Sequence, residues 1–128
     1  MTLETEIYSR LSGFAGLTAL VGQQIYPLIL PQDGALPAVV FHVISEPRIS
    51  NFGQDTGDVH ARVQVTCFGE KAAGQGSVLA VKQQVRLALQ RYSGGNIQDC
   101  FVEGGGSAYE SESKIFTVML DFLIWFKE

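Results

Sequence analysis

The chain has 128 residues, 46% of them hydrophobic and 17% charged, enough apolar matter for one core and too little chain for two, so a single domain over 1–128 is expected. Nine Lys and Arg stand against thirteen Asp and Glu, a formal charge of −4, and the basic residues are scattered, which argues against a sequence-reading nucleic-acid binder. No stretch approaches the roughly 20 apolar residues that span a bilayer, and the acidic start Thr2-Leu3-Glu4-Thr5-Glu6 is unlike a signal peptide, so a chain made in the cytoplasm with no membrane partner is expected.

Leu3, Ile7 and Leu11 recur at a spacing of four, predicting a short amphipathic helix with Thr2 as N-cap, acidic residues in its first turns and an end at Gly13. A second helical turn, Leu17 to Val21, stops at Gly22. Gln24 to Pro31 is apolar but holds two prolines, which predicts an edge strand or extended segment. Gln32 to Pro37 reads as a loop, and Ala38 to Glu46, rich in β-branched and aromatic residues, as a strand. Pro47 to Gly57 turns to Ser, Asn, Gly, Gln and Asp and is expected to be a mobile connection.

Val59, Ala61, Val63, Val65 and Cys67 then alternate strictly with His60, Arg62, Gln64 and Thr66, a strand with one buried and one polar face, antiparallel to the preceding one. The main helix is expected from about Ser77. Val78, Val81, Val85, Ala88, Leu89 and Tyr92 fall on its inner arc, Leu79 on its flank and Leu87 on its far side, and Ser93 to Asn96 ends it. Ile97 to Glu103 has moderate strand character, and Gly104 to Lys114 is expected to be a long flexible hairpin loop. In the last strand Phe116, Val118, Leu120, Phe122, Ile124 and Phe126 take every even position, while Thr117, Met119, Asp121, Leu123, Trp125 and Lys127 share the other face. This order predicts an α+β fold, an antiparallel β-sheet with helices packed on one face and long hairpin loops.

Chemistry finds little foothold. His42, His60 and Asp58 lie on paired strands, but their spacing matches no metal-ligand motif, and ordinary strand histidines are the stronger reading. Cys67 and His60 occupy opposite faces of one strand, which denies the thiol a base, and no serine sits in a nucleophile elbow. Cys67 and Cys100 form no C-x-x-C pair and read as buried small hydrophobes. The glycines at 104–106 are followed by an acidic run rather than a helix, so a phosphate cradle is not expected. No catalytic residue, metal or cofactor is assigned. The informative residues are apolar groups that one core cannot use. Leu87, Leu123 and Trp125 are candidates for a subunit interface, unless the first helix covers the Trp125 face.

Taken in order, several segments resemble the tail-completion proteins of long-tailed bacteriophages and prophages, also called tail terminators or tail-to-head joining proteins. They are the acidic first helix with Leu17 to Gly22, Ile25-Tyr26-Pro27, Leu36 to Phe41, Arg62 to Val65, Val85 to Leu89 and Asp121 to Trp125. The similarity extends over nearly the whole chain, although Gln24 stands where members often carry a basic residue. The resemblance implies a virion structural protein without a substrate. It would form a ring, usually of six copies, at the head-proximal end of the tail tube, ending polymerisation and meeting both the major tail tube protein and a head connector protein. DNA would pass through without specific binding, since six copies of a chain of charge −4 repel phosphates. Under that reading Arg48, Phe52, Asp55, Tyr109 and Glu112, in the two long loops, are the candidate contacts to tube or connector. The competing readings are a head-closure or connector subunit of the phage neck, a small ligand-binding α+β domain, and a hydrolase using His42, His60 and Asp58.

Overall fold

The computed structural model describes residues 2–31, 35–51, 54–70, 77–112 and 114–127, and of 48–51 and 54–56 the backbone. In chain order the elements are helices α1 (Leu3–Ser12) and α2 (Ala15–Val21), strands β1 (Ile25–Pro27), β2 (Ala38–Ser45), β3 (Arg48–Asn51) and β4 (Gln54–Gly69), helix α3 (Val78–Leu89), and strands β5 (Ile97–Glu110) and β6 (Ile115–Lys127). The six strands form one sheet in the order β1-β2-β4-β6-β5, with β3 pairing β4 off this path. The fold is α+β, as expected, with one departure from an all-antiparallel sheet: β1 runs parallel to β2, Ile25 opposite Val39.

Local chemistry sets the helix ends. Thr2 Oγ1 accepts the Thr5 N–H at 3.2 Å, capping α1, and Ser77 Oγ accepts the Ala80 N–H at 3.1 Å, capping α3. Gly22, at φ 61°, takes the left-handed turn after α2 that a side chain would resist. Packing does the rest. Leu3, Ile7 and Leu11 of α1 and Val78, Val81, Val85, Ala88 and Leu89 of α3 are buried against one sheet face, made by Val63, Val65 and Cys67 of β4 and Leu120, Phe122 and Ile124 of β6. Each such large side chain contributes about 1.5–3 kcal/mol through removal from water.

Two loop assignments are corrected. Within Pro47 to Gly57, β3 pairs antiparallel with the start of β4, Asn51 opposite Gln54. Gly104 to Lys114 is mostly strand, for β5 continues through its glycines in register with β6 until Glu110 meets Ile115. Glycine and serine carry no hydropathy alternation, and here the ladder of a long apolar neighbour holds them extended. The first helix does not cover the Trp125 face either: α1 packs on β1, α2 and α3, on the opposite side of the sheet.

The turn after α3 is tied to α1. Glu6, 8% exposed, accepts the Asn96 N–H at 2.7 Å through Oε1. The Arg10 Nε–H donates to the Ala88 carbonyl at 2.6 Å, and its guanidinium lies 4.3 Å from the Tyr92 ring centre. No described helix is long and apolar enough to cross a membrane.

Candidate functional site

The residues first suspected of chemistry stand apart. His42 is opposite Gln64 and His60 is opposite Trp125. Four residues of β4 separate their levels, about 13 Å at the rise of an extended strand. Asp58 is engaged with Lys127 at 3.2 Å. Among the described residues no three His, Cys, Asp or Glu side chains gather as a metal site. Both cysteines are fully buried, and burial pushes each thiol up from 9.0 to about 12, helped at Cys100 by the charge of Asp99 and opposed at Cys67 by that of Lys82. Such thiols are inert at neutral pH.

The sheet face turned away from the helices carries the more informative cluster. Odd residues of β6 and even residues of β4 share this face because opposite partners in an antiparallel ladder point the same way. Trp125, 40% exposed, stacks on His60 with ring centres 4.8 Å apart and planes 11° from parallel. Phe101 of β5 meets the indole edge-on at 5.5 Å, and Arg91 lies 4.6 Å over the Phe101 ring while pairing with Asp99 at 3.1 Å. Leu123, half-buried, sits between Arg62 and Phe101 in the cross-strand row. The result is a stiff aromatic patch bordered by the Arg62–Glu103, Arg91–Asp99 and Lys127–Asp58 ion pairs.

Leu87 is not part of that patch. It stands half-exposed on α3, in the helical layer across the sheet, so Leu123 and Trp125 come together and Leu87 does not join them. Tyr109 is half-exposed near the β5–β6 tip and packs on Phe116 at 4.5 Å, and Glu112 is exposed in the turn. Arg48 and Asp55 are described by backbone alone, on β3 and β4, and Phe52 lies outside the described residues.

Sequence reasoning missed a trough between α3 and β5. Leu79, Lys82 and Arg86 line one side, Val102, Val118 and Leu120 the floor, and the backbone of 104–107 the other side, around about 400 Å³. Spacings of three and four on α3 would have grouped Leu79, Lys82 and Arg86, but the opposite wall exists only because β5 continues through its glycines. Leu28 and Ile29, 66% and 75% exposed just beyond β1, were also passed over.

The family model described as Tail completion protein gp17 matches residues 5–127. The chain belongs to this tail-completion family. It is accordingly a structural protein of the phage tail and a component of the virion. A comparison with curated proteins gives no match. Among solved structures, the chain is similar to one in the virion of a native gene transfer agent (GTA) particle, at 18% identity and a TM-score of 0.78, with 98% of this chain and 95% of that chain covered. That likeness supports the α+β fold of this tail-completion chain independently of sequence.

Proposed function

We propose that this tail-completion protein closes into a ring of identical copies, six by family resemblance, at the head-proximal end of the tail tube, where it ends tube growth and joins tail to head. The observation that carries the reading is the family match over residues 5–127. The surfaces suit it. A closed ring of head-to-tail contacts needs two different complementary patches on each copy. Apolar groups stand exposed on opposite layers of this fold, Trp125 with half-buried Leu123 on the open sheet face and Leu87 on α3. The work is done by shape, with no bond made or broken, and β3 with the start of β4, which carry Arg48 and Asp55, would meet tube or connector.

Deletion of the gene from its phage, followed by electron microscopy, tests the role. Overlong tubes beside unattached full heads are expected. Tails of normal length with heads that leak DNA would assign the chain to head closure instead, and viable particles would overturn both.

A further inference from the structure

Four of the seven cationic side chains among the described residues are engaged within the chain. Arg62, Arg91 and Lys127 face carboxylates, and Arg10 lies over Tyr92 and Phe14. Among the described residues Lys82, Arg86 and Lys114 have neither a carboxylate nor an aromatic partner, and Arg86 is steadied only by Gln83 Oε1 at 3.2 Å. Lys82 and Arg86 therefore give the α3–β5 trough a bare positive wall above an apolar floor.

The opposite wall is unusual in another way. Early in β5 the outer edge is closed by the chain itself: the Arg91 N–H donates to the Cys100 carbonyl at 2.7 Å, and the Val102 N–H donates to Gln90 Oε1 at 2.8 Å. From Gly104 to Glu110 no hydrogen bond reaches the outer edge from any described residue. An open strand edge is a template for another chain, and proteins that do not use one normally cover it.

Charges of the opposite sign, Glu110 and Glu112, stand exposed near the tip of the β5–β6 hairpin, beside Lys114, and among the described residues neither has an ion-pair partner. The trough wall ends at Ser107, and Glu110, three residues farther along β5, stands opposite Ile115 and so points to the sheet face away from α3 and its trough. The Tyr109–Phe116 ring pair, 4.5 Å between centres, ties β5 to β6 just before the tip.

We infer that the hairpin tip of one copy seats in the α3–β5 trough of the next, with Glu110 and Glu112 against Lys82 and Arg86 and the open edge of 104–110 supplying backbone partners. The inference rests on the ring reading and names one contact between neighbouring copies. Tip and trough are different surfaces, so the contact is head-to-tail and repeats around a circle. Tyr109 and Glu112, read from the sequence as contacts to tube or connector, become contacts between copies.

Charge reversal tests this. Lys82→Glu with Arg86→Glu, and separately Glu110→Lys with Glu112→Lys, should each weaken self-association at least about tenfold at low ionic strength, and the four changes together should regain most of it. Sedimentation over a concentration series up to millimolar reads the effect. An equimolar mixture of Lys82→Cys and Glu112→Cys chains treated with a short bismaleimide should give a heterodimer that a mixture of Thr18→Cys and Glu112→Cys does not. If copies associate and neither reversal alters them, the interface is wrong and the ring stands. If neither association nor cross-link forms at millimolar concentration, the inferred interface falls, and the ring reading is decided by the gene deletion. If trough reversal spares self-association and blocks attachment to tail tubes, the trough receives tube protein and the inference fails.

Discussion

The two halves of β5 are built on opposite terms. Ile97 to Val102 has its inner side chains buried under α3 and its outer edge sealed by Arg91 and Gln90, whereas Gly104 to Glu110 is exposed throughout and held by β6 alone. The first half belongs to the core; the second is strand that the fold itself does not need. A domain that spends residues on an uncovered strand keeps a surface for something outside itself.

The largest blow to the sealed half is cavity formation. Phe122→Ala should cost about 3–5 kcal/mol of unfolding free energy, measured by denaturant titration, because the ring is wholly buried opposite Val102 and Val63. A large loss confined to the hairpin, with the body intact, would break the division between the halves.

Alkali should follow. The thiols of Cys67 and Cys100 titrate near 12 in the folded chain and near 9.0 when unfolded, so the folded state holds more protons between these values. Their stabilising contribution is complete below pH 9 and is lost as pH rises toward 12. The denaturation midpoint of a Cys67→Ala, Cys100→Ala double variant should fall less steeply across that window than that of the unchanged chain.

A gentler change sharpens the comparison. Gln90→Ala removes the acceptor of the Val102 N–H and should cost about 1 kcal/mol, with faster hydrogen exchange at Val102 and no change from Gly104 to Glu110. Smallest in the isolated chain should be Leu87→Glu, within about 0.5 kcal/mol of the unchanged protein because the side chain is half-exposed. The same change should impair ring formation, scored as tails joined to heads. Unimpaired joining would remove Leu87 from the subunit interface.

Much of the body was legible before any coordinates. Strict alternation from Val59 to Cys67, the even-position apolar row of β6, the inner arc of α3 from Val78 to Leu89 and the Thr2 cap all act locally, through side-chain period and backbone donors, and each stands where expected, whereas Tyr92, expected on that arc, lies beyond the helix end. What escaped depends on distant partners. β3 and the second half of β5 are strands because β4 and β6 extend beside them, not because Ser50 or Gly106 favours extension. The parallel pairing of β1 with β2 has no local signature at all. The outward pair Leu123 and Trp125 could be read from β6 by parity, whereas the trough could not, since one of its walls is backbone without side chains.

Strand β6 also has a mechanical meaning. It runs unbroken from the hairpin tip into the body and is zipped to β4 from the Gly69–Phe116 pair to the Asp58–Lys127 pair. A tug on the tip along the strand axis is borne by that whole row of bonds loaded in parallel, not peeled one at a time. The hairpin tip is thus anchored like a lap joint, suited to a part that bears tension.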